Sequence, residues 1–351
     1  FGVTAHVDLS RMIMRHGLAP MGASLLQAIA ATLDCLKPDL VIVQGDTTTA
    51  LMGAMAAFYE EIPLAHVEAG LTTGDVSHPF PEELHRDVIS RVATLLFAPS
   101  ERAEDHARRR ARPGAQVFLT GNPVVDALVQ MTDAGVVPEC RPCDESGRKK
   151  ILITVHRREN HGERGRAIAG ALKQLAEDRP ESELIFVGHT HPALAPIAEF
   201  LQCSGRVRVL APQRYVDWLG LLSECYFLIS DSGGAQEEAP WLGKPVLVLR
   251  DETERPEVVE AGGAKLVGSD PNCIYSSATE LLDDPAVYRR MQTARTRYPY
   301  GNGTAAAQIV GHILEFLRTG PSGGPRSDED AKSDIRDSLV EVPETTNELD
   351  G

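Results

Sequence analysis

Asp39-Leu40-Val41-Ile42-Val43-Gln44, followed at once by Gly45-Asp46-Thr47-Thr48-Thr49, sets the pattern of the whole chain. The apolar run predicts a strand that is buried on both faces, and the residues after it predict a turn into a helix. Similar apolar runs follow at Leu64–Val67, Thr94–Phe97 and Val117–Leu119. Because helical stretches such as Thr48–Glu60 and Glu82–Val92 separate these runs, we predict a parallel sheet covered by helices on both faces.

The alternation of strands and helices restarts at Lys150–Val155. It continues through Glu183–Val187, Val207–Leu210, Tyr226–Ile229, Val246–Leu249 and Lys265–Val267. Residues 136–149, rich in proline, cysteine and charge, separate the two sets and predict a linker. We therefore predict an α/β protein of two doubly wound Rossmann-like domains facing a cleft, with the first at 1–140 and the second at 141–318.

The charge balance excludes some classes of partner. The 351 residues include 35 basic and 50 acidic ones, a net charge of −15, which argues against nucleic acid or an anionic membrane as a partner. No run of about 18 apolar residues is evident, and the first residues do not resemble a signal peptide, so we expect a cytoplasmic protein. Residues 319–351 carry nine acidic and three basic side chains, and we expect them to form a disordered tail.

Six cysteines are too few for a disulfide scaffold. Cys35 and Cys225 lie in apolar helical stretches, so we expect both to be core residues. Cys140 and Cys143 form a single C-x-x-C pair without a second pair at suitable spacing, which argues against a zinc site. We predict no metal.

Four residues at the ends of predicted strands, or in the loops that follow, are candidates for proton transfer: Asp46, Glu68, Glu82 and His156. In doubly wound folds, ligands bind beyond the carboxyl ends of the strands. Carboxylates that share a partly dry cleft raise each other's pKa, which prepares one of them to hold a proton near neutrality. The cations beside His156 favour its neutral form. Any one of these residues alone has an ordinary capping or structural explanation.

The turn Ser232-Gly233-Gly234 leads from a predicted strand into a helix and presents backbone N–H groups suited to a phosphate. Glu238 follows within the first turns of that helix and could accept hydrogen bonds from ribose hydroxyls. Arg255, also just beyond a strand, could bind a diphosphate. A plain turn capped by Ser232 is the alternative. Because the chain has neither a Gly-x-Gly-x-x-Gly fingerprint nor a Walker phosphate loop, we predict no cofactor.

Read in order, these residues resemble the non-hydrolysing UDP-N-acetylglucosamine 2-epimerases over about residues 30 to 315. The matching strings are Gln44-Gly45-Asp46-Thr47, His66-Val67-Glu68-Ala69-Gly70-Leu71, Pro81-Glu82-Glu83 with Arg86, Thr120-Gly121-Asn122-Pro123, His156-Arg157-Arg158-Glu159-Asn160, Asp231-Ser232-Gly233-Gly234 with Gln236-Glu237-Glu238-Ala239-Pro240, Gly243-Lys244-Pro245-Val246, Arg250-Asp251 with Thr253-Glu254-Arg255-Pro256-Glu257, and Tyr300-Gly301.

The resemblance implies a glycosyltransferase-B-like fold, a homodimer, and reversible inversion at C2 of UDP-N-acetylglucosamine to give UDP-N-acetylmannosamine. It also implies elimination of UDP, a glycal intermediate, re-addition, and a product used for cell-surface polysaccharides. Asp46, Glu68, Glu82 and His156 stand at the family's catalytic positions. The substrate and UDP positions are held by Arg86, Gln213, Trp218, Ser232, Gly233, Gly234, Glu238 and Arg255.

The chain departs from the family pattern at several points. It begins after the family's first strand–helix unit, so we expect an N-terminally shortened chain. Thr72 and His85 stand where arginine and asparagine are usual, His191 stands in a His-x-Asn-Pro segment, and Asn302 replaces an aspartate. A hydrolysing relative that releases UDP and N-acetylmannosamine, a non-catalytic sugar-nucleotide-binding protein and a glycosyltransferase on the same fold are the alternatives.

Overall fold

Two parallel β-sheets carry the fold, as seen in a computed structural model that describes residues 5, 7, 17–137, 147–292 and 298–319. The first sheet has the order β1-β2-β3-β4. Its strands are Val41–Gln44 (β1), Leu64–Val67 (β2), Leu95–Ala98 (β3) and Gln116–Leu119 (β4). The accompanying helices are Leu18–Leu36 (α1), Thr48–Tyr59 (α2), Glu82–Val92 (α3), Glu101–Arg110 (α4) and Pro123–Asp133 (α5).

The second sheet has six strands in the order β10-β9-β8-β5-β6-β7. They are Lys149–Thr154 (β5), Ser182–Val187 (β6), Val207–Leu210 (β7), Phe227–Ser230 (β8), Val246–Val248 (β9) and Ala264–Leu266 (β10). Its helices are Glu163–Asp178 (α6), Ala195–Cys203 (α7), Tyr215–Glu224 (α8), Ala235–Trp241 (α9), Pro256–Glu260 (α10), Pro271–Asp283 (α11) and Pro285–Gln292 (α12). Ala305–Thr319 (α13) follows. The chain up to Gln308 forms one unit that holds both sheets, and the residues from Ile309 form a second.

Alternate residues of β5 show why the centre of this strand is apolar. Ile151 and Ile153 pack into one hydrophobic cluster, whereas Leu152, between them, packs into another. Helices on each face therefore bury these three central residues, and each such side chain contributes about 1.5–3 kcal/mol. Short polar side chains begin several helices: Thr47 caps α2 and Ser100 caps α4 by accepting backbone N–H bonds.

The predicted α/β fold class is confirmed, and the strand bounds differ from the predicted ones by at most two residues. In the second sheet the strand order reverses between β5 and β8, which pair directly. The connections that leave these two strands therefore run to opposite sides. A crevice for ligands forms at such a switch point, and both His156 and Ser232 follow it in the chain.

Some expectations were wrong or lie outside the described residues. Cys35 is exposed in the last turn of α1, where Asp34 and Leu36 are exposed as well, whereas Cys225 is buried as expected. Helix α1 is, by length and composition alone, long and apolar enough to cross a membrane, contrary to the expectation that no segment would be. It packs against α2 through Gly22. Most of the linker, with its C-x-x-C pair, and the tail beyond Thr319 lie outside the described residues. The two domain boundaries remain predictions.

Candidate functional site

The carboxyl edge of the first sheet presents the three predicted carboxylates. Asp46 lies two residues beyond β1, Glu68 comes directly after β2, and Glu82 is the first residue of α3, which has the bounds of the predicted helical stretch Glu82–Val92. The backbone of Glu68 has a φ of 67°, in the left-handed region that non-glycine residues rarely adopt. Such strain persists only where the surrounding structure holds it, and it is concentrated at functional sites.

Arg86 ties this edge together. Its guanidinium is buried, donates to the carboxylate of Asp46, and lies 3.0 Å from Oε2 of Glu83, three residues earlier on α3. Glu83 in turn accepts hydrogen bonds from the backbone N–H groups of Thr73 (3.2 Å) and Gly74 (3.3 Å). The predicted substrate residue Arg86 therefore positions Asp46 and connects it to the loop after β2.

Two of the departures from the family pattern have local explanations. His85 Nδ1 lies 2.7 Å from the backbone oxygen of Asp46, so this imidazole fixes the same loop. Thr72 Oγ1 accepts a hydrogen bond of 3.3 Å from Arg110, which brings a guanidinium from α4 to this position.

On the second sheet, the buried carboxylate of Asp231 organises the segment after β5. It accepts hydrogen bonds from the backbone N–H groups of His156 (3.0 Å) and Arg157 (3.0 Å) and from Nδ2 of Asn160 (2.9 Å). The His156 ring lies 3.2 Å from the same carboxylate. The pKa of His156 is lowered chiefly by burial, with Arg157 adding to the effect, so the ring favours the neutral form for a different main reason than the sequence suggested.

Arg255 joins the two sheets. Its guanidinium nitrogens lie 2.7 Å from Glu68, 2.5 Å from Glu237 and 2.6 Å from Glu254. A Cβ on Gly233 would lie 2.6 Å from Nη1 of Arg255, so the glycine allows the guanidinium to rest against the predicted phosphate turn. Arg255 is only 5% exposed. Three carboxylates enclose its guanidinium in this structure. The role of Arg255 in binding a diphosphate therefore stays a prediction.

Glu254, which the sequence did not single out, is the common centre of the network. Its side chain is fully buried, and its oxygens lie 3.5 Å from Arg86, 3.5 Å from Arg157, 2.6 Å from Arg255 and 2.7 Å from Arg250. These cations hold the pKa of Glu254 well below its usual range despite the opposing effect of burial.

Each predicted carboxylate of the first sheet reaches Glu254 through one arginine. The connections run from Asp46 through Arg86, from Glu68 through Arg255, and from Glu82 through Arg157. The guanidinium of Arg157 lies 3.6 Å from the carboxylate of Glu82. The three carboxylates and the Ser232 turn thus share one network across the two sheets. His156 joins it through its neighbour Arg157 and through Asp231.

Glu68 differs electrostatically from Glu254. Burial raises the pKa of Glu68 to about 7, Arg255 opposes the rise, and Glu237 and Asp46 add to it. A carboxyl group with this pKa can both take and release a proton near neutral pH.

The predicted nucleotide-binding residues lie at two places in the fold, the start of α8 and the start of α9. Trp218 Nε1 donates a 2.8 Å hydrogen bond to the carboxylate of Glu238, so the structure brings these two together. Ser232 Oγ accepts a 3.3 Å hydrogen bond from the backbone N–H of Ala235, the first residue of α9, although the N-cap residue of this helix is Gly234. Gln213, after β7, is half-buried and donates to the backbone oxygen of Ala211.

A cavity of about 770 Å³ lies beside this network rather than in it. Residues from the ends of β3 and β4 and from α10 line it, and none of the predicted site residues does. At its edge, Ser100 lies 2.5 Å from Glu257, and Arg102 lies 2.7 Å from Glu260. Within the described residues, no group of three His, Cys, Asp or Glu side chains is placed to hold a metal ion.

Comparison with known proteins decides the family. A model of the family described as UDP-N-acetylglucosamine 2-epimerase matches residues 1–314. The chain belongs to this family. It is 40% identical to the UDP-N-acetylglucosamine 2-epimerase of Bacillus subtilis strain 168 over 316 residues, which cover 90% of this chain and 82% of that protein.

Solved structures of UDP-N-acetylglucosamine 2-epimerases have the same fold. The Neisseria meningitidis enzyme bound to UDP-GlcNAc superposes with a TM-score of 0.84 at 39% identity, covering 89% of this chain and 86% of that one. The Methanocaldococcus jannaschii enzyme in complex with UDP-GlcNAc and UDP gives 0.72 at 30% identity, covering 85% and 82%. The predicted family, the glycosyltransferase-B-like fold and the isomerase class are confirmed.

The residues that sequence reasoning missed as site members are Glu83, Arg157, Glu237, Arg250 and Glu254. All of them follow strands or lie in the first turns of the helices after them. A charged residue at such a position needs a partner when buried, and that signal could have suggested them. The pairing itself joins residues as far apart as Glu68 and Arg255.

Proposed function

We propose that the protein interconverts UDP-N-acetylglucosamine and UDP-N-acetylmannosamine without net hydrolysis. One observation carries the proposal: carboxylates at the edge of the first sheet meet the Ser232 turn and Arg255 of the second sheet in a single buried network. The family match and the relatives bound to UDP-GlcNAc support the choice of substrate.

The proposed reaction breaks two bonds and forms them again. The C2–H and C1–O bonds break, a C1=C2 double bond forms in a glycal, and UDP leaves with the electron pair of the C1–O bond. UDP then adds back at C1 while a proton adds to C2 on the opposite face. Asp46, Glu68, Glu82 and His156 are the proposed acid–base groups, and Glu68 has the pKa best suited to exchanging a proton near neutrality.

Nucleotide binding is proposed for the second sheet. The Ser232-Gly233-Gly234 turn would bind the diphosphate through its N–H groups, with Glu238, Trp218 and Gln213 around the nucleoside. A diphosphate that reaches Arg255 meets a guanidinium whose charge is already paired with three carboxylates, and it competes with them for that charge. Substrate binding and the ion pairs between the sheets are therefore coupled.

The test is hydrogen exchange at C2. Incubation with UDP-N-acetylglucosamine in deuterated water should give UDP-N-acetylmannosamine and place deuterium at C2 of both sugars. NMR measures both the product and the deuterium. Glu68→Gln should abolish exchange and retain UDP binding, whereas Glu224→Gln, on the surface beside Lys150, should leave both unchanged.

Other outcomes identify the alternatives. Free UDP that accumulates in step with free N-acetylmannosamine would indicate a hydrolysing enzyme. UDP binding without exchange would indicate a non-catalytic binding protein. The homodimer, the cytoplasmic location and the supply of cell-surface polysaccharide synthesis are also proposed, on the resemblance to the family, and sedimentation would test the dimer.

A further inference from the structure

Glu237 is a buried carboxylate that the proposed chemistry does not use. It lies in the first turn of α9 and is 1% exposed. One of its oxygens lies 2.5 Å from Nε of Arg255, and the other accepts a 2.7 Å hydrogen bond from Nδ2 of Asn122. Asn122 caps α5, just beyond the last strand of the first sheet. A carboxylate from the second sheet is thus bound by residues of both.

These contacts form a chain that runs from Asn122 through Glu237 and Arg255 to Glu68. Glu237 holds Nε of the guanidinium, and Nη2 of the same guanidinium lies 2.7 Å from Glu68. Because a guanidinium is planar and rigid, fixing one of its edges fixes where the others point. The position of Arg255 relative to Glu68 therefore depends on Glu237.

We propose that Glu237 is a positioning residue for the epimerisation, which holds Arg255 against Glu68 and offsets part of its positive charge. The inference rests on the proposed function. It assigns to Glu237 no contact with the substrate. Its effect on the reaction passes through Arg255 to the proton on Glu68.

The charges that face Glu68 come from four elements. Arg255 and Arg86, the latter on α3, favour its ionised form, whereas Asp46 in the loop after β1 and Glu237 on α9 disfavour it. Burial disfavours ionisation most strongly. When the negative charge of Glu237 is removed, one carboxylate fewer opposes the effect of the two arginines on Glu68. The balance then moves toward ionised Glu68, and its pKa falls.

A purely structural role predicts something else. The backbone oxygen of Glu237 accepts a 3.0 Å hydrogen bond from Tyr298, so the residue also contributes to packing. Loss of packing lowers activity at every pH without moving the pH at which activity is lost. The pH dependence therefore separates the two roles.

The experiment compares Glu237→Gln with the unmodified protein. We expect the acid limb of the kcat/KM profile to shift down by about one pH unit, as for an altered charge neighbour. Glu237→Asp, which restores the charge, should return the limb toward its original position. The control is Glu257→Gln, which removes a half-buried carboxylate that contacts Ser100 and Tyr300 instead of Arg255. It should leave the acid limb of the profile unmoved. An unshifted limb in folded Glu237→Gln overturns the inference.

A second readout does not depend on activity. In protein with ¹³C-labelled glutamate carboxyl groups, the Glu68 signal should titrate at lower pH in Glu237→Gln. In the unmodified protein, the Glu237 signal should show an inflection in the pH range where Glu68 ionises. This measurement serves if the variant does not fold, and independent titration of the two groups contradicts the proposal. An unmodified protein that shows no exchange at C2 refutes the proposed function instead, whatever the titration shows.

Discussion

Glu254→Gln removes the negative charge on which four guanidinium groups converge, while it keeps the size of the side chain. Taking away one partner of a buried ion pair costs about 3–5 kcal/mol, because the remaining charge is left without compensation. Each arginine keeps another carboxylate, so we expect the lower end, about 3 kcal/mol. The remaining pairs are Arg86 with Asp46 and Glu83, Arg157 with Glu82, Arg250 with Glu159, and Arg255 with Glu68 and Glu237.

Urea unfolding followed by circular dichroism measures this cost. With a slope of about 3 kcal/mol per molar urea, a loss of about 3 kcal/mol lowers the midpoint by about 1 M. The matched control is Glu224→Gln, which removes a carboxylate that is 41% exposed and lies 2.7 Å from Lys150. Such a pair contributes less than about 1 kcal/mol, so its midpoint should move by no more than about 0.3 M. If both variants shift equally, Glu254 is not the centre of the network.

The same comparison has a definite pH dependence. The pKa of Glu254 is depressed in the folded protein, so its stabilising contribution is complete above the ordinary value of 4.5 and declines as the pH falls below it. The difference in the free energy of unfolding between the unmodified protein and Glu254→Gln should therefore shrink between pH 7 and pH 3. A difference that stays constant would mean that the loss comes from packing rather than charge.

Three further variants test other parts of the structure. Since burial raises the pKa of Glu68 from 4.5 to about 7, its ionisation destabilises the fold as the pH rises through this range. Denaturation at pH 5 and at pH 8 gives the free energy of unfolding of Glu68→Gln and of the unmodified protein. From pH 5 to pH 8, the variant's free energy of unfolding should rise by about 2–3 kcal/mol relative to that of the unmodified protein. A difference that is the same at both pH values would contradict the raised pKa. Gly70→Ala should cost about 2–5 kcal/mol, because its Cβ would lie 1.9 Å from the backbone oxygen of Ala103 at a φ of 85°. Gly74→Ala, with a φ of 84° and open space around it, should cost only about 1–2 kcal/mol, and equal denaturation midpoints for the two would refute the argument from the close approach.

The strands were predictable because a strand buried on both faces needs a short, continuous apolar run, as at Ile151 to Ile153. The candidate carboxylates were predictable because they follow such strands. What the sequence did not reveal is the pairing, since Arg255 and Glu68 meet across 187 positions of the chain. The prediction for Cys35 was wrong for another reason: an apolar helical stretch does not show where along its length the helix leaves the core.

Two buried glutamates that contact the same arginine have opposite proton affinities, and the number of neighbouring cations accounts for the difference. Glu254 has four guanidinium groups within 3.5 Å, which outweigh the cost of burying its charge and keep it ionised. Among the residues that the structure describes, Glu68 has a single direct cation, Arg255, which it shares with Glu237 and Glu254, so burial prevails and its pKa rises. An ionised carboxylate that holds the arginines and a carboxyl group whose pKa suits proton exchange near neutrality thus arise from one residue type. If Glu68 were instead surrounded as Glu254 is, it would remain ionised at neutral pH and be a weaker base in the proposed reaction.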